Sequence, residues 1–187
     1  MSTTQEIRYT TGMHLYYIRH GESTSNYGEL ITGQQDVPLT KKGLAQAIEA
    51  GKGIIAQGIK IDHIVSSSLM RAHETASIIA DEIGYPVSDI EINDLVIERS
   101  FGSLEGKSKE DAGVLTDELI QASGGELDPA VRARAERFLD AFKGKPGTLL
   151  VVSHTGFGRR LRAVVEGVPT DHSANFNNAE LIDLGEI

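Results

Sequence analysis

Two stretches of this chain decide its expected fold: MHLYYIRHGES at residues 13–23 and TLLVVSHTG at residues 148–156. Each starts as a short apolar run typical of a buried strand, and a histidine follows each run, His20 in the first and His154 in the second. Strands that deliver polar side chains at their ends build ligand sites at the carboxyl edge of open α/β sheets. The two stretches therefore predict one pocket assembled from distant segments, and the nearby arginines indicate an anionic ligand.

The remaining pattern alternates strands with helices. We predict strands at 13–18, 63–65, 148–152 and 179–184, an extended segment at 87–96, and helices at 41–55, 70–83, 107–122, 129–142 and 157–166. Such alternation predicts an α/β fold, a single three-layer α/β/α domain with a mostly parallel central sheet. We assign this domain to residues 13–187 and expect residues 1–12 to be a frayed N-terminal segment.

Composition narrows the class of protein further. The 187 residues suit one domain, and the chain has no cysteine, so it has neither a disulfide nor a thiolate nucleophile. No apolar run is long enough to span a bilayer, and we expect a cytoplasmic protein. The formal net charge of −9 repels nucleic acid and acidic membranes, so neither is an expected partner.

Two arginines and a glycine suggest a phosphate cradle. Arg19 directly precedes His20, and Gly21 would let the backbone approach a ligand closely. Arg71 lies at the start of a predicted helix, whose free N–H groups favour an anion. Guanidinium groups match the oxygens of a phosphoryl group and keep their charge at any working pH.

The remaining chemistry requires a nucleophile and a proton donor. Nearby arginines should keep the His20 imidazole neutral, which leaves a ring nitrogen free to attack phosphorus. His154 would stabilise charge on the phosphoryl oxygens through a hydrogen bond or a positive charge. Glu98, where an extended segment meets a glycine-containing turn, is the candidate donor of a proton to the leaving oxygen, with Glu105 as the fallback acid.

These residues resemble the histidine phosphatase superfamily, also called phosphoglycerate mutase-like. The likeness runs through residues 19–23 with Asn26, residues 32–40 with Gly43, residues 67–76, residues 98–106 and residues 151–154. The resemblance implies a phosphohistidine intermediate on His20, proton donation by Glu98, and a reaction without metal or other cofactor. The implied phosphate contacts come from Arg19, Asn26, Arg71 and His154, and we add Thr32, Gly33 and Thr155 as candidate substrate-binding residues.

Within that family the sequence favours a phosphatase. Lys109 falls where mutases carry a substrate lysine, but the adjacent arginine pair that they use further along has no counterpart before Pro129. We therefore predict a phosphomonoester hydrolase acting on a small phosphorylated metabolite. The alternatives are a phosphoglycerate mutase and a catalytically silent module that binds phospho-ligands. The oligomeric state stays open, with a homodimer as one option.

Each of these residues also has a simpler interpretation. A histidine at a strand end is often only hydrogen-bonded, Arg71 could pair with Glu74 on the helix surface, and Glu98 could pair with Lys107. Asn26 and Thr32 could be ordinary turn residues. Histidines 14, 63, 73 and 172 receive a structural interpretation, and no pair of potential ligands has the spacing of a metal site.

Overall fold

The computed structural model describes residues 12–187 of the chain. Residues 1–11, which hold nearly all of the expected frayed segment, lie outside the described residues. The strands are β1 (Met13–Arg19), β2 (His63–Ser66), β3 (Glu91–Ile92), β4 (Gly147–Ser153) and β5 (Leu181–Glu186). The helices are α1 (Thr24–Tyr27), α2 (Lys41–Ala56), α3 (Met70–Ile83), α4 (Lys109–Ala112), α5 (Asp117–Ala122), α6 (Asp128–Asp140) and α7 (Thr155–Glu166).

The five strands of this part of the chain form one sheet in the order β3-β2-β4-β1-β5. All neighbours are parallel except β5, which runs antiparallel to β1 at the edge. In the β1–β4 pair, Arg19 lies opposite Ser153, and the His20 N–H donates to the Ser153 carbonyl at 2.9 Å. This register brings His20 and His154 out of the sheet side by side.

The sheet is buried on both faces, which confirms the predicted three-layer α/β/α domain with a mostly parallel sheet. Leu15 and Tyr17 of β1 contribute to a core cluster that includes residues of α6 and α7. The next residue, Ile18, belongs to a second cluster with residues of α2 and α3. Side chains of a strand alternate between the two faces, so each face needs its own layer of helices.

Two predicted elements differ in the structure. The helix predicted at 107–122 is wrong as one element, because Gly113 adopts φ +62° and ψ −141° and separates α4 from α5. The segment predicted as extended at 87–96 contains only the two-residue strand β3, flanked by single 3₁₀ turns. None of the helices in residues 12–187 is both long and apolar enough to cross a membrane.

Candidate active site

His20 is held in one protonation state by its neighbours. Its Nδ1 lies 2.7 Å from the Gly21 carbonyl oxygen, which can only accept, so Nδ1 carries the proton. Its Nε2 accepts a hydrogen bond from Arg71 Nε at 3.2 Å. Burial, and then the charges of Arg71 and Arg19, lower the pKa of His20 well below 6.5. The ring is therefore neutral, with the lone pair of Nε2 available as a nucleophile.

The loop after β1 is pressed against the first turn of α2. A side chain at Gly21 would collide with the Gly43 carbonyl, and one at Gly43 would collide with the Glu22 carbonyl. Thr40 caps α2 by accepting from the Gly43 N–H at 3.1 Å. The two glycines thus allow a close backbone contact that sets the position of the nucleophile.

Arg71 is buried in the wall of the site instead of pairing with Glu74 at the surface, so that simpler interpretation is wrong. Its guanidinium donates to the Gln35 carbonyl at 2.7 Å and to the Gly33 carbonyl at 2.8 Å, in addition to His20. Gly33 has φ +51°, a conformation that favours glycine. The loop around residues 33–35 therefore orients Arg71 against the nucleophile.

The guanidinium of Arg19 makes fewer hydrogen bonds to the protein than that of Arg71. One terminal nitrogen donates to the Phe176 carbonyl at 2.9 Å, while the buried Nε finds no hydrogen-bond partner among residues 12–187. Burial lowers the pKa of Arg19, but the guanidinium of an arginine still keeps its charge at working pH. Arg19 can therefore offer an uncommitted donor and a positive charge to an anion.

His154 is fully buried at the N-terminus of α7, and its ring centroid lies 5.1 Å from that of His20. Its Nε2 lies 2.9 Å from the Ser67 hydroxyl, and its buried Nδ1 has no partner within the described part of the chain. Burial, followed by the charge of Arg71, lowers the pKa of His154 well below 6.5. Of the two roles predicted for it, hydrogen bonding fits this neutral ring, and a standing positive charge does not.

Glu98 lies at the N-terminus of α7. One carboxyl oxygen accepts from the Gly156 N–H at 3.0 Å, and the other accepts from Phe157 at 3.0 Å and from Arg99 at 2.7 Å. A side chain at position 156 would collide with this carboxyl group, so Gly156 is what lets Glu98 reach the helix end. Glu98 does not form the alternative ion pair with Lys107. Glu105, the fallback acid, accepts from the Phe101 N–H at 2.9 Å.

A cavity of about 170 Å³ joins these groups. The predicted site residues that line it are Arg19, His20, Asn26, Thr32, Gly33, Arg71, Glu98 and Thr155. Its other walls are formed by Leu30, Ile31, Phe101, Lys109 and Leu115. His154 does not line the cavity and lies behind its wall. Asn26 also accepts from the Ser23 N–H at 3.1 Å, so it is both a turn residue and part of the cavity wall.

Two residues of the site were missed from the sequence. Asn178 donates from its amide to the His20 carbonyl at 2.8 Å, and the next residue, Ala179, has φ +56°. Arg134 of α6 donates to backbone carbonyls of the segment that carries Glu98. Neither residue follows a strand end or belongs to a recognisable motif, and both reach the site only through long-range packing.

The structure offers no obvious metal centre in residues 12–187, where no three His, Asp or Glu side chains are grouped to hold a metal ion. The positive groups beside His20 are the two arginines, Arg19 and Arg71, and Lys109 adds a third cation to the cavity wall. These groups suit the oxygens of a phosphate.

Comparison with known proteins identifies the family. Residues 15–185 match the model of the histidine phosphatase superfamily (branch 1), and the chain belongs to this family. A 2,3-bisphosphoglycerate-dependent phosphoglycerate mutase of Parvibaculum lavamentivorans is 35% identical over 170 residues, which cover 81% of this chain and 77% of that protein. One of Rhodopseudomonas palustris is 42% identical over 98 residues, which cover 52% of this chain and only 47% of that protein.

Solved structures agree on the fold. A protein of Escherichia coli K-12, provisionally described as an alpha-ribazole-5'-P phosphatase, superposes with a TM-score of 0.73 at 30% identity, over 86% of this chain and 83% of that chain. A phosphoglycerate mutase of Bacillus anthracis superposes with a TM-score of 0.78 at 24% identity, over 95% of this chain and 91% of that chain. The enzyme family thus includes relatives named as mutases and a neighbour described as a phosphatase.

Proposed function

We propose that this protein is a phosphomonoester hydrolase that works through a phosphohistidine intermediate on His20. The observation that carries the proposal is the arrangement of the His20 ring. Nδ1 is committed to the Gly21 carbonyl, and Nε2 keeps its lone pair beside Arg71 in a cavity that Arg19 also lines. A neutral imidazole between two guanidinium groups combines a nucleophile with the positive charge that a phosphoryl group requires.

In the first half-reaction, Nε2 of His20 attacks phosphorus, the N–P bond forms and the ester P–O bond breaks. Glu98, when protonated, gives its proton to the leaving oxygen, since it lines the same cavity. In the second half-reaction the Glu98 carboxylate takes a proton from water, which attacks phosphorus and breaks the N–P bond. Phosphate leaves, and His20 and Glu98 return to their starting protonation states.

The alternative function is phosphoglycerate mutase activity, in which the phosphoryl group passes from His20 to a second hydroxyl instead of to water. Two observations favour it: Lys109 lines the cavity, and relatives up to 42% identical are named as phosphoglycerate mutases. One observation opposes mutase activity: the sequence lacks, between Lys109 and Pro129, the adjacent arginine pair that mutases use. Both reactions share the first half-reaction, so they differ only in what receives the phosphoryl group.

One experiment separates the two functions and the catalytically silent binding module. The protein is incubated with 3-phosphoglycerate, with and without 2,3-bisphosphoglycerate, and both free phosphate and 2-phosphoglycerate are measured. A screen of sugar phosphates, nucleotides and aryl phosphates runs in parallel. Phosphate release from any of these esters supports the hydrolase, and accumulation of 2-phosphoglycerate supports the mutase. If neither product forms, the result supports the binding module.

The substrate we propose is a small phosphorylated metabolite, and the expected compartment is the cytoplasm. The cavity of about 170 Å³ supports a small ligand, because it has room for a phosphoryl group and a small organic portion. Its walls combine the apolar side chains of Leu30, Phe101 and Leu115 with the amine of Lys109. The substrate screen described above tests this size limit directly.

A further inference from the structure

One side chain of α6 holds the backbone on both sides of Glu98. The terminal nitrogen Nη1 of Arg134 donates to the Leu95 carbonyl at 2.7 Å and to the Ile97 carbonyl at 3.0 Å. The other terminal nitrogen, Nη2, reaches the Glu98 carbonyl at 3.4 Å. These bonds fix the path of the segment together with those from Gln34 Nε2 to the Glu98 carbonyl at 2.9 Å and from Ser153 Oγ to the Val96 carbonyl at 2.6 Å.

Glu126 fixes the same guanidinium from the opposite side. Its two carboxyl oxygens accept from Nε and Nη2 of Arg134, each at 3.0 Å, in a paired geometry. Its carboxyl group also accepts from the Ser100 N–H at 3.0 Å, and its own N–H donates to the Ser100 carbonyl at 2.9 Å. The Arg134–Glu126 clamp, as we name this pair, thus grips the Glu98 segment before and after Glu98.

The clamp also contacts the residue that binds the Glu98 carboxyl group. The Arg134 guanidinium lies 5.5 Å from the ring centroid of Phe157, and the Phe157 N–H donates to Glu98 at 3.0 Å. Only 12% of the Arg134 side chain is exposed, so these contacts are made largely out of water. The Arg134 guanidinium therefore contacts both the backbone around Glu98 and, at Phe157, the residue that binds the Glu98 carboxyl group.

We propose that Arg134 is a positioning residue that keeps the Glu98 carboxyl group where it protonates the leaving oxygen. This role rests on the proposed function, in which Glu98 is the proton donor. Arg134 itself does not line the cavity, so we do not assign it a contact with the reacting groups. We expect its effect on catalysis to pass through Glu98.

The leaving group distinguishes such a role from general structural support. An alkyl alkoxide is a strong base and needs a proton as it departs, whereas a nitrophenolate departs without one. Displacing a catalytic group by about 1 Å costs about 10²-fold in rate. Loss of the clamp should therefore slow reactions of alkyl phosphates far more than reactions of aryl phosphates.

The test measures the rate at which His20 becomes phosphorylated by glycerol phosphate and by p-nitrophenyl phosphate. This half-reaction is common to a phosphatase and a mutase. We compare the wild type with Arg134→Gln, Glu98→Gln and the double variant. We expect Arg134→Gln to lose about 10²-fold with glycerol phosphate and only a few-fold with p-nitrophenyl phosphate. The double variant should be no slower than Glu98→Gln alone, because an effect routed through Glu98 disappears with it.

Arg132→Gln is the matched control, since this neighbour on α6 bonds to the Val168 carbonyl at 2.9 Å and not to the Glu98 segment. It should leave both rates unchanged. If Arg134→Gln fails to fold, Glu126→Gln weakens the clamp while keeping the arginine, and the same selective loss is expected. Equal loss with both esters, or a loss that adds to that of Glu98→Gln, overturns the role of Arg134 only. A wild type that forms no phosphohistidine overturns the proposed function and this role together.

Discussion

His20 and His154 follow neighbouring parallel strands at the same level of the sheet, yet their ring nitrogens have different partners. His20 has a carbonyl on Nδ1 and a guanidinium on Nε2, and it lines the cavity. His154 has the Ser67 hydroxyl on Nε2, no described partner on Nδ1, and a position behind the cavity wall. Sheet register places both imidazoles, but their hydrogen-bond partners give them different chemistry.

That difference assigns unequal roles. A protonated Nδ1 and an Nε2 lone pair that faces Arg71 prepare His20 for attack on phosphorus. His154, neutral and buried, has a hydrogen bond to offer but no route to the substrate as a nucleophile. The four predictions below test this contrast, and they are ordered from the largest expected effect to the smallest.

Replacing the nucleophile should have the largest effect. His20→Ala removes the only nitrogen that we assign to the covalent step, so hydrolysis of p-nitrophenyl phosphate should fall to the uncatalysed background. Steady-state release of nitrophenol measures the effect. His63→Ala, at an exposed histidine of β2, is the matched control and should keep full activity. An unchanged rate in His20→Ala would contradict the assignment of His20 as the nucleophile.

Replacing the second histidine should slow the reaction without stopping it. His154→Ala removes a buried ring whose centroid lies 5.1 Å from that of His20, and a resulting shift of the nucleophile by about 1 Å would cost about 10²-fold in kcat. Turnover of the same aryl ester should fall by this factor while phosphohistidine still forms. Complete loss of phosphohistidine in a folded His154→Ala protein would contradict the contrast between the two rings.

Acidification should destabilise the protein through both rings. Their pKa values in the folded state lie well below 6.5, so the unfolded state binds more protons as the pH falls. Above about pH 6.5 the protein keeps the full stability that comes from holding these two rings neutral. Below that pH, proton uptake by each imidazole in the unfolded state lowers the free energy of unfolding by up to about 1.4 kcal/mol per pH unit.

Urea denaturation between about pH 5.5 and 7.5 checks this slope. His20→Gln and His154→Gln should each flatten it, because each removes one buried neutral imidazole, whereas His63→Gln should not. If the slope is the same in all of these proteins, neither ring is held neutral by its surroundings as we describe.

The smallest effect is expected at Ser67, whose hydroxyl contacts the ring of His154 and not that of His20, and also accepts from the Leu69 N–H at 3.2 Å. Ser67→Ala removes the hydroxyl beside His154 Nε2 and should cost about 1 kcal/mol of stability and about fivefold in turnover. Ser66→Ala is the matched control, because its buried hydroxyl donates to the Ser67 carbonyl at 3.0 Å and does not touch His154. Ser66→Ala should lose a similar free energy of unfolding but keep the turnover rate of the wild type. Equal turnover in both variants would show that Ser67 does not act through His154.

Much of the site could be predicted because its parts are local to strand ends. The apolar runs before His20 and His154 specify buried strands, and parallel pairing then brings the two histidines together. Arg71 follows β2 at the start of α3 and reaches the same edge. The helix predicted at 70–83 has the same bounds in the structure, where Gly84 with φ +72° ends it.

The parts that could not be predicted depend on contacts between distant segments. Arg134 binds carbonyls 36 to 39 residues away, and neither its spacing nor its sequence neighbours indicate this role. The predicted helix at 107–122 failed because only the backbone angles show that Gly113 breaks it. The position of His154 behind the cavity wall follows from its packing against Ser67, which a strand pattern does not encode.

The most direct test of the account is to locate the covalent phosphate. The protein is mixed with a ³²P-labelled ester, quenched in base, in which phosphohistidine survives, and digested for peptide mapping. The account predicts an acid-labile label on the peptide that contains His20, on that peptide alone, in the wild type and, more slowly, in His154→Ala. Label on the peptide that contains His154, or label that persists in His20→Ala, would contradict it.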